Sequence, residues 1–161
     1  MIQDAQSYTQ RGEYDNVIAM LTAITEAAIE HWDIVDDYGI DNCEVATDLS
    51  VVWCETILSA ELDTAAKTDI EVNLEFWRNC WGGYFDLAIG ALEQGWSDPA
   101  LQRVLAGEIT PLGAWSGEAP HYADDLAGIR LQILERQERF TEYLYLAEAE
   151  GQIIKHLTRA Y

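Results

Sequence analysis

The sequence predicts an all-α protein built from antiparallel helical hairpins. Three observations support this fold class. Apolar side chains recur with the helical period along most of the chain, as in the stripe formed by Val17, Leu21, Ile24 and Ala28. No segment shows a convincing alternation of apolar and polar residues, which would predict a half-buried strand. Glycines and capping residues fall between the periodic segments, where helices are expected to begin and end.

Capping residues place several helix starts. Asp63 is expected to cap the helix that follows it, because its carboxylate can accept the free amide protons of the first turn. Asp98 and Pro99 begin another helix, with Pro99 at the first helical position, where its missing N–H costs nothing. Pro120 opens the long helix that is expected to continue through Gln137.

Glycines place the expected helix ends and chain reversals. Each one interrupts the apolar period, and glycine tolerates the backbone angles that a tight reversal requires. The predicted reversals lie at Gly12, Gly39, Gly83, Gly95 and Gly151.

A faint internal repeat refines the architecture. Residues 12–18 and 83–89 both read Gly-x-aromatic-Asp-x-small-Ile, and they are separated by close to twice the roughly 34-residue period of tetratricopeptide (TPR) units. A third copy, residues 139–144, keeps the aromatic side chain but has Glu138 in the place of the glycine. The pattern predicts hairpins stacked as a short, TPR-like, right-handed α-solenoid or as a bundle.

Length and composition indicate one soluble domain spanning residues 1–161. About half of the residues are hydrophobic, including six Trp and eight Tyr, which is typical of a globular core. No apolar run approaches the roughly 20 residues of a membrane-spanning helix. The first residues lack the pattern of a secretory signal, so the expected location is the cytoplasm.

The charge balance limits the classes of partner. The chain has 29 acidic and nine basic residues, a formal net charge of −20. Such a surface repels phosphate backbones and anionic lipids, so neither direct nucleic-acid binding nor membrane binding is expected. It favours a basic protein as the partner. Charge complementarity of this kind raises the rate of association more than it raises the affinity. The oligomeric state is not indicated.

No metal or cofactor site is predicted. Cys43, Cys54 and Cys80 lack the spacing of a zinc site or a disulfide framework, so three free thiols are expected. His31 lies among acids, and a metal-dependent enzyme that uses this group is the weakest of the three functional hypotheses. The acids in question are Glu30, Asp33, Asp36 and Asp37. The simpler interpretation is the solvated end of a helix.

The segment from residue 108 to 122, called here the Trp115 loop, is the most distinctive part of the sequence. Because Ile109, Leu112 and Trp115 are costly to leave in water, we expect them to be pinned against the following helix with the acids of the loop facing out. Trp115 is interpreted first as a structural plug and second as an anchor for a partner. Candidate partner-binding residues are Trp115, Glu118, His121, Tyr122, Asp124 and Asp125. His121 has no nucleophile elbow near it, so no catalytic residue is predicted.

Most of the chain also resembles a known family. The strings that carry the likeness are residues 91–96, 101–105, 107–110, 113–115, 117–120, 122–126 and 146–152, with residues 14–29 as a preceding helical unit. They are similar to the helical region that follows the zinc finger in bacterial (cyanobacterial-type) SWIM zinc-finger proteins. The Cys-x-Cys and Cys-x-His ligands of that finger have no match here. The resemblance therefore implies a helical scaffold without zinc and without transferable catalytic residues.

These observations lead to an expected function and one main alternative. The expected function is a non-enzymatic helical scaffold that mediates protein–protein interaction, as part of or related to a SWIM zinc-finger protein. The alternative is an acidic inhibitor or nucleic-acid mimic that binds a basic protein, for which Asp and Glu side chains would need to form rows at phosphate-like spacing.

Overall fold

The computed structural model describes residues 1–33, 39 and 41–160, with side chains described through Gly151. The helices are α1 (Ile2–Gln10), α2 (Tyr14–Glu30), α3 (Asn42–Ser59), α4 (Thr64–Trp81), a 3₁₀ helix (Gly82–Phe85), α5 (Asp86–Gln94), α6 (Pro99–Leu105), α7 (Ala123–Arg136) and α8 (Phe140–Ala160). These residues contain no strand. The all-α prediction is confirmed, whereas the TPR-like solenoid stays a prediction.

The chain divides into two compact units, residues 1–93 and residues 94–161. Each is described below by itself. The prediction of a single domain is not decided by this division and stays a prediction.

The first unit is organised around α3. This helix contacts α1, α2 and the 3₁₀ helix, and its residues 52–58 are all buried. Trp53 of α3 is fully buried, and its ring centroid lies 5.5 Å from that of Trp77 in α4. The aromatic contacts continue from Trp77 to Phe85 at 5.9 Å and from Phe85 to Trp81 at 5.7 Å. Aromatic pairs at these separations add to the stabilisation that burial alone provides.

Several buried polar groups of the first unit form hydrogen bonds within or between neighbouring helices. The Trp53 indole N–H donates to the Thr25 hydroxyl at 3.0 Å, and that hydroxyl donates to the Leu21 carbonyl in its own helix. The Thr9 and Thr56 hydroxyls share a hydrogen bond of 2.9 Å between α1 and α3. These contacts remove the cost of burying polar atoms in an apolar core.

The second unit packs α6 and α7 against α8. Its core is aliphatic and combines residues of all three helices with one loop residue, Ala114. The buried members are Leu101, Val104, Leu105, Ala114, Leu134, Leu146 and Ala149. Trp96 lies at the edge of this cluster, with the Arg139 and Arg130 guanidinium carbons 5.2 and 5.7 Å from its ring centroid.

The predicted starts at Asp63 and Asp98 are confirmed, whereas the helix expected to open at Pro120 begins at Ala123. The Asp63 carboxylate accepts from the Ala66 amide at 2.8 Å. The Asp98 carboxylate accepts from the Ala100 and Leu101 amides, and Pro99 occupies the first helical position. Because these amides have no partner within the helix, the side chains satisfy donors that would otherwise need water.

The predicted reversals are confirmed in part. Gly12 and Gly95 lie in turns with φ of 79° and 55°. Gly39 also has positive φ, but residues 34–38 and 40 beside it lie outside the described residues. At the end of α4, Gly82 has φ of 70°, while Gly83 lies within the 3₁₀ helix. The prediction at Gly151 is wrong, because α8 continues through it. One glycine does not end a helix when its neighbours keep the helical hydrogen bonds.

The repeat is better described by its first and third copies. In the α1–α2 turn, the Glu13 amide donates to the Tyr8 carbonyl, and in the α7–α8 turn, the Arg139 amide donates to the Leu134 carbonyl. Both turns are Schellman motifs in the same register, followed at once by a new helix. Glu138, with φ of 58°, occupies the position that Gly12 occupies in the first turn. The copy at Gly83 instead begins in the 3₁₀ helix.

Candidate functional site

The Trp115 loop connects α6 to α7 and is held by its backbone. Ala114 is 2% exposed, and its carbonyl accepts a hydrogen bond of 2.7 Å from the Gln94 side-chain amide. Tight turns shape the segment on either side, since the Gly113 amide donates to the Thr110 carbonyl and the Trp115 amide to the Leu112 carbonyl. The buried part of the loop therefore consists of Gly113 and Ala114.

Arg130 extends this attachment into the core of the second unit. The guanidinium is 1% exposed and donates to the Gln94 side-chain oxygen at 2.6 Å and to the Gly95 carbonyl at 2.7 Å. Gln94 thus bridges Arg130 of α7 and Ala114 of the loop. A buried charge is tolerated only when such hydrogen bonds replace its hydration, so this network fixes the loop relative to α7.

The structure brings the predicted aromatic residues of the loop together. The Trp115 and Tyr122 rings meet edge to face, with centroids 6.3 Å apart, and the His121 ring lies 5.3 Å from that of Tyr122. Trp115 and Tyr122 are partly buried, while His121 is exposed. Leu112 is 50% exposed, so the expectation that it is buried is wrong. The small Ala114 side chain takes the buried position instead.

The predicted acids surround this aromatic group along the sequence and face solvent. Glu118 is exposed on the loop, and Asp124 and Asp125 are exposed in the first turn of α7, near its positive dipole end. Glu108, at the start of the loop, is exposed as well. The expectation that the acids face out is confirmed, and an apolar or basic ligand would meet carboxylates beside exposed apolar surface.

Glu150 of α8 is an ionisable group near α7 that the sequence did not single out. Burial raises its pKa, the nearby Asp124 carboxylate adds to this rise and the Arg130 guanidinium opposes it, so that the resulting pKa is about 7. A carboxyl with this pKa changes charge close to neutral pH. The sequence alone does not show that Glu150 lies near Asp124, because the two residues are far apart in the chain.

Reasoning from the sequence also missed a second surface, which lies in the first unit. A cleft of about 610 Å³, called here the N-terminal cleft, opens between the start of α1, the end of α2 and the start of α3. It is lined by Met1, Ile2, Gln3, Ile24, Ala27, Ala28, His31, Val45 and Asp48. The available signal was the pair of small side chains at Ala27 and Ala28, which leaves space beside larger apolar residues.

The proposed metal group does not assemble among the described residues. Glu30, His31 and Asp33 are exposed, and the described part of the chain contains no group of three or more His, Cys, Asp or Glu side chains arranged to hold a metal. Asp36 and Asp37 lie outside the described residues. His31 instead lines the N-terminal cleft.

The three cysteines are free thiols. Cys54 is buried in α3, whereas Cys43 and Cys80 are exposed. The Tyr84 hydroxyl donates a hydrogen bond of 2.9 Å to the Cys43 sulfur, and this contact raises the pKa of Tyr84.

None of the helices within the described residues has the length and apolarity needed to cross a membrane.

Exposed apolar side chains occur in both units. Val72 and Phe76 lie one turn apart on α4 and are 63% and 62% exposed. Phe140 and Leu144 form a similar pair on α8.

Comparison of the chain with protein-family models, with curated proteins and with solved structures gives no match.

Proposed function

We propose that the chain is a non-enzymatic α-helical scaffold that binds a basic protein partner in the cytoplasm through the Trp115 loop. The observation that carries this proposal is the combination found on the loop. An aromatic pair and an exposed leucine are presented on a backbone that is fixed at Ala114, with carboxylates around them. Rigidly held aromatic residues are favoured interface anchors, because little conformational entropy is lost when they bind.

The charge of the chain supports the chemistry of the partner. With a net charge of −20, the protein attracts basic surfaces over distance, while the apolar residues of the loop provide contacts that survive salt. The likeness of residues 107–126 to the helical region of SWIM zinc-finger proteins supports the same proposal, because it implies a helical scaffold without catalytic residues. Relationship to that family remains part of the proposal.

The experiment is affinity capture from a lysate of the native cell at low and at high salt. Leu112→Ser removes an exposed apolar contact of the loop and, as a surface change, is expected to alter stability by less than about 0.5 kcal/mol. Val72→Ser is the matched control, because Val72 is similarly exposed but lies on α4 of the first unit.

The expected result is a partner that wild type and Val72→Ser retain at high salt and that Leu112→Ser loses. Equal capture by all three proteins would contradict a role for the loop. Trp115→Ala adds a second readout: an anchor loses binding with little change in thermal stability, whereas a plug loses about 3–5 kcal/mol of stability.

The second candidate is an acidic inhibitor or nucleic-acid mimic. The observation that favours it is the exposure of Glu118, Asp124 and Asp125 in a chain with large net negative charge. A partner held in this way would be released at high salt, because exposed charges are screened beyond about 10 Å at 0.1 M salt. Its capture would also be insensitive to Leu112→Ser, which separates the two candidates.

A further inference from the structure

The N-terminal cleft is open, apolar and formed by three helices. Ile2 contributes from α1, Ile24 and Ala27 from α2, and Val45 from α3. Its volume of about 610 Å³ is large enough for bulky side chains from another molecule. Because Ala27 and its neighbour Ala28 have small side chains, the wall formed by α2 lets an incoming residue approach the helix backbone closely.

The chemistry around this cleft is one-sided. No Lys or Arg occurs in the sequence between Arg11 and Lys67, so every charged residue of α2 and α3 other than histidine is acidic. Asp48 lines the cleft, and the exposed Glu44 shares its face of α3 because the two are four residues apart. Glu30 is likewise exposed, three residues after Ala27 on α2.

We propose that the N-terminal cleft is a docking groove for a basic amphipathic helix of a partner protein. Large apolar side chains of that helix would occupy the space beside Ala27, and its flanking Lys and Arg residues would face Glu30, Glu44 and Asp48. Helix-in-groove recognition uses this combination of apolar anchors and complementary charge. The inference rests on the proposed interaction function but assigns it a second surface, distinct from the Trp115 loop.

Charge decides among the occupants. A second copy of this chain would bring its own carboxylates toward the same acidic rim, and like charges placed together are unfavourable. A neutral apolar molecule would leave the rim carboxylates unused. A basic amphipathic segment satisfies both the apolar walls and the acidic rim, and it is therefore the occupant to which the proposal commits.

The test uses a displayed library of random 16-residue peptides, selected for binding to the full wild-type chain. Ala27→Phe fills the cleft from an exposed position on α2. Ala19→Phe is the matched control, since Ala19 is also an exposed alanine of α2 and does not line the cleft. Thermal melting of both variants verifies that each is folded.

The expected peptides carry apolar residues at helical spacing, flanked by Lys or Arg. A synthetic copy of the best peptide should bind Ala27→Phe at least about tenfold more weakly than wild type, while Ala19→Phe binds within about twofold. Asp48→Asn should weaken the same peptide severalfold at low salt, with no such effect for Asp69→Asn on α4. Methyl NMR of the wild-type complex should shift the signals of Ile24 and Val45.

Several results would overturn the proposal. Enrichment of acidic or purely apolar peptides would contradict the stated chemistry, and equal binding to wild type and Ala27→Phe would contradict the location. A dimer in sedimentation that Ala27→Phe dissociates would assign the cleft to a second copy of the chain. If the peptide experiment contradicts the cleft proposal, the capture experiment with Leu112→Ser can still succeed. Failure of the cleft proposal is therefore distinguishable from failure of the proposed function.

Discussion

The two units of this protein bury polar groups in different ways. In the first unit, a chain of aromatic rings forms part of the core, and buried polar atoms such as the Thr25 hydroxyl are bonded to a neighbouring side chain and to the carbonyl one helical turn away. In the second unit, the core is aliphatic, and the charged Arg130 side chain is buried within hydrogen bonds that reach Gln94 and Gly95. One unit is stabilised mainly by packing, and the other combines packing with a polar network.

This difference explains why the first unit exposes a cleft between helices and the second unit exposes an ordered loop. Packing, with a few side-chain hydrogen bonds, holds the helices of the first unit and leaves a cleft beside Ala27 and Ala28. In the second unit, the polar network holds an irregular loop whose Ala114 and Ile109 side chains pack in the core. Hydrogen bonds between buried groups can specify one conformation of such a segment. Substitutions in the two units should therefore have different consequences.

The largest expected effect is on the aromatic core. Trp53→Ala removes a fully buried indole and its hydrogen bond to Thr25, so the free energy of unfolding of the first unit should fall by about 3–5 kcal/mol. Urea denaturation followed by circular dichroism measures this change. Phe76→Ala on α4, where the side chain is 62% exposed, is the control and should change stability by less than about 0.5 kcal/mol.

The second effect separates the polar network from the aromatic core. Arg130→Met keeps much of the side-chain volume but leaves the Gly95 carbonyl and the Gln94 side chain without their donor, at a cost of about 2–3 kcal/mol. Amide exchange in the Trp115 loop should also accelerate. Gln132→Met, at an exposed position on the same helix, should do neither. An unchanged loop in Arg130→Met would refute the role of the network.

The third effect depends on pH. Because the pKa of Glu150 is raised to about 7 in the folded protein, the native state holds a proton between about pH 4.5 and 7 that the unfolded state has released. Stability therefore falls as pH rises through this range, and the destabilisation is complete above pH 7.

Glu150→Gln should remove this dependence. After allowance for the solvated part of the side chain, it should stabilise the second unit by about 1–2 kcal/mol at pH 8 and by little at pH 4.5. Thermal melts across this pH range measure the effect. Glu148→Gln changes an exposed carboxyl of the same helix and serves as the control. Equal pH profiles for wild type and Glu150→Gln would contradict the assignment.

The smallest effect compares the two equivalent turns. Glu138 has the left-handed conformation that glycine adopts at Gly12, so Glu138→Gly should stabilise the α7–α8 hairpin by about 1 kcal/mol. Gly12→Ala should destabilise the α1–α2 hairpin by a similar amount. Gln132→Gly, at an exposed position inside α7, should cost about 1 kcal/mol. Melting temperatures that fall for Glu138→Gly would contradict the shared turn geometry.

The sequence predicted those features that depend on local interactions. The caps at Asp63 and Asp98 and the turn at Gly12 follow from the hydrogen bonds and backbone angles of neighbouring residues. Gly151 was wrongly predicted as a break, because the contacts of the surrounding helix outweigh the preference of one residue. The sequence repeat was matched to the copy at Gly83, because a glycine is easier to recognise at this turn position than Glu138, which has the same left-handed conformation as Gly12.

The candidate site was predictable only in part for a related reason. The aromatic residues and acids of the Trp115 loop are close together in sequence, so their association could be predicted. The bridge from Arg130 through Gln94 to Ala114 and the pairing of Glu150 with Asp124 depend on residues far apart in the chain. The N-terminal cleft similarly requires three helices to be placed before the space beside Ala27 becomes visible.

Partner recognition by the Trp115 loop is tested most directly by amide hydrogen exchange with and without the captured partner. The predicted result is exchange that slows by about tenfold or more in residues 108–125 on binding, while residues 64–81 of α4 are unchanged. Equal exchange of the loop in the free and bound protein would contradict the proposed function.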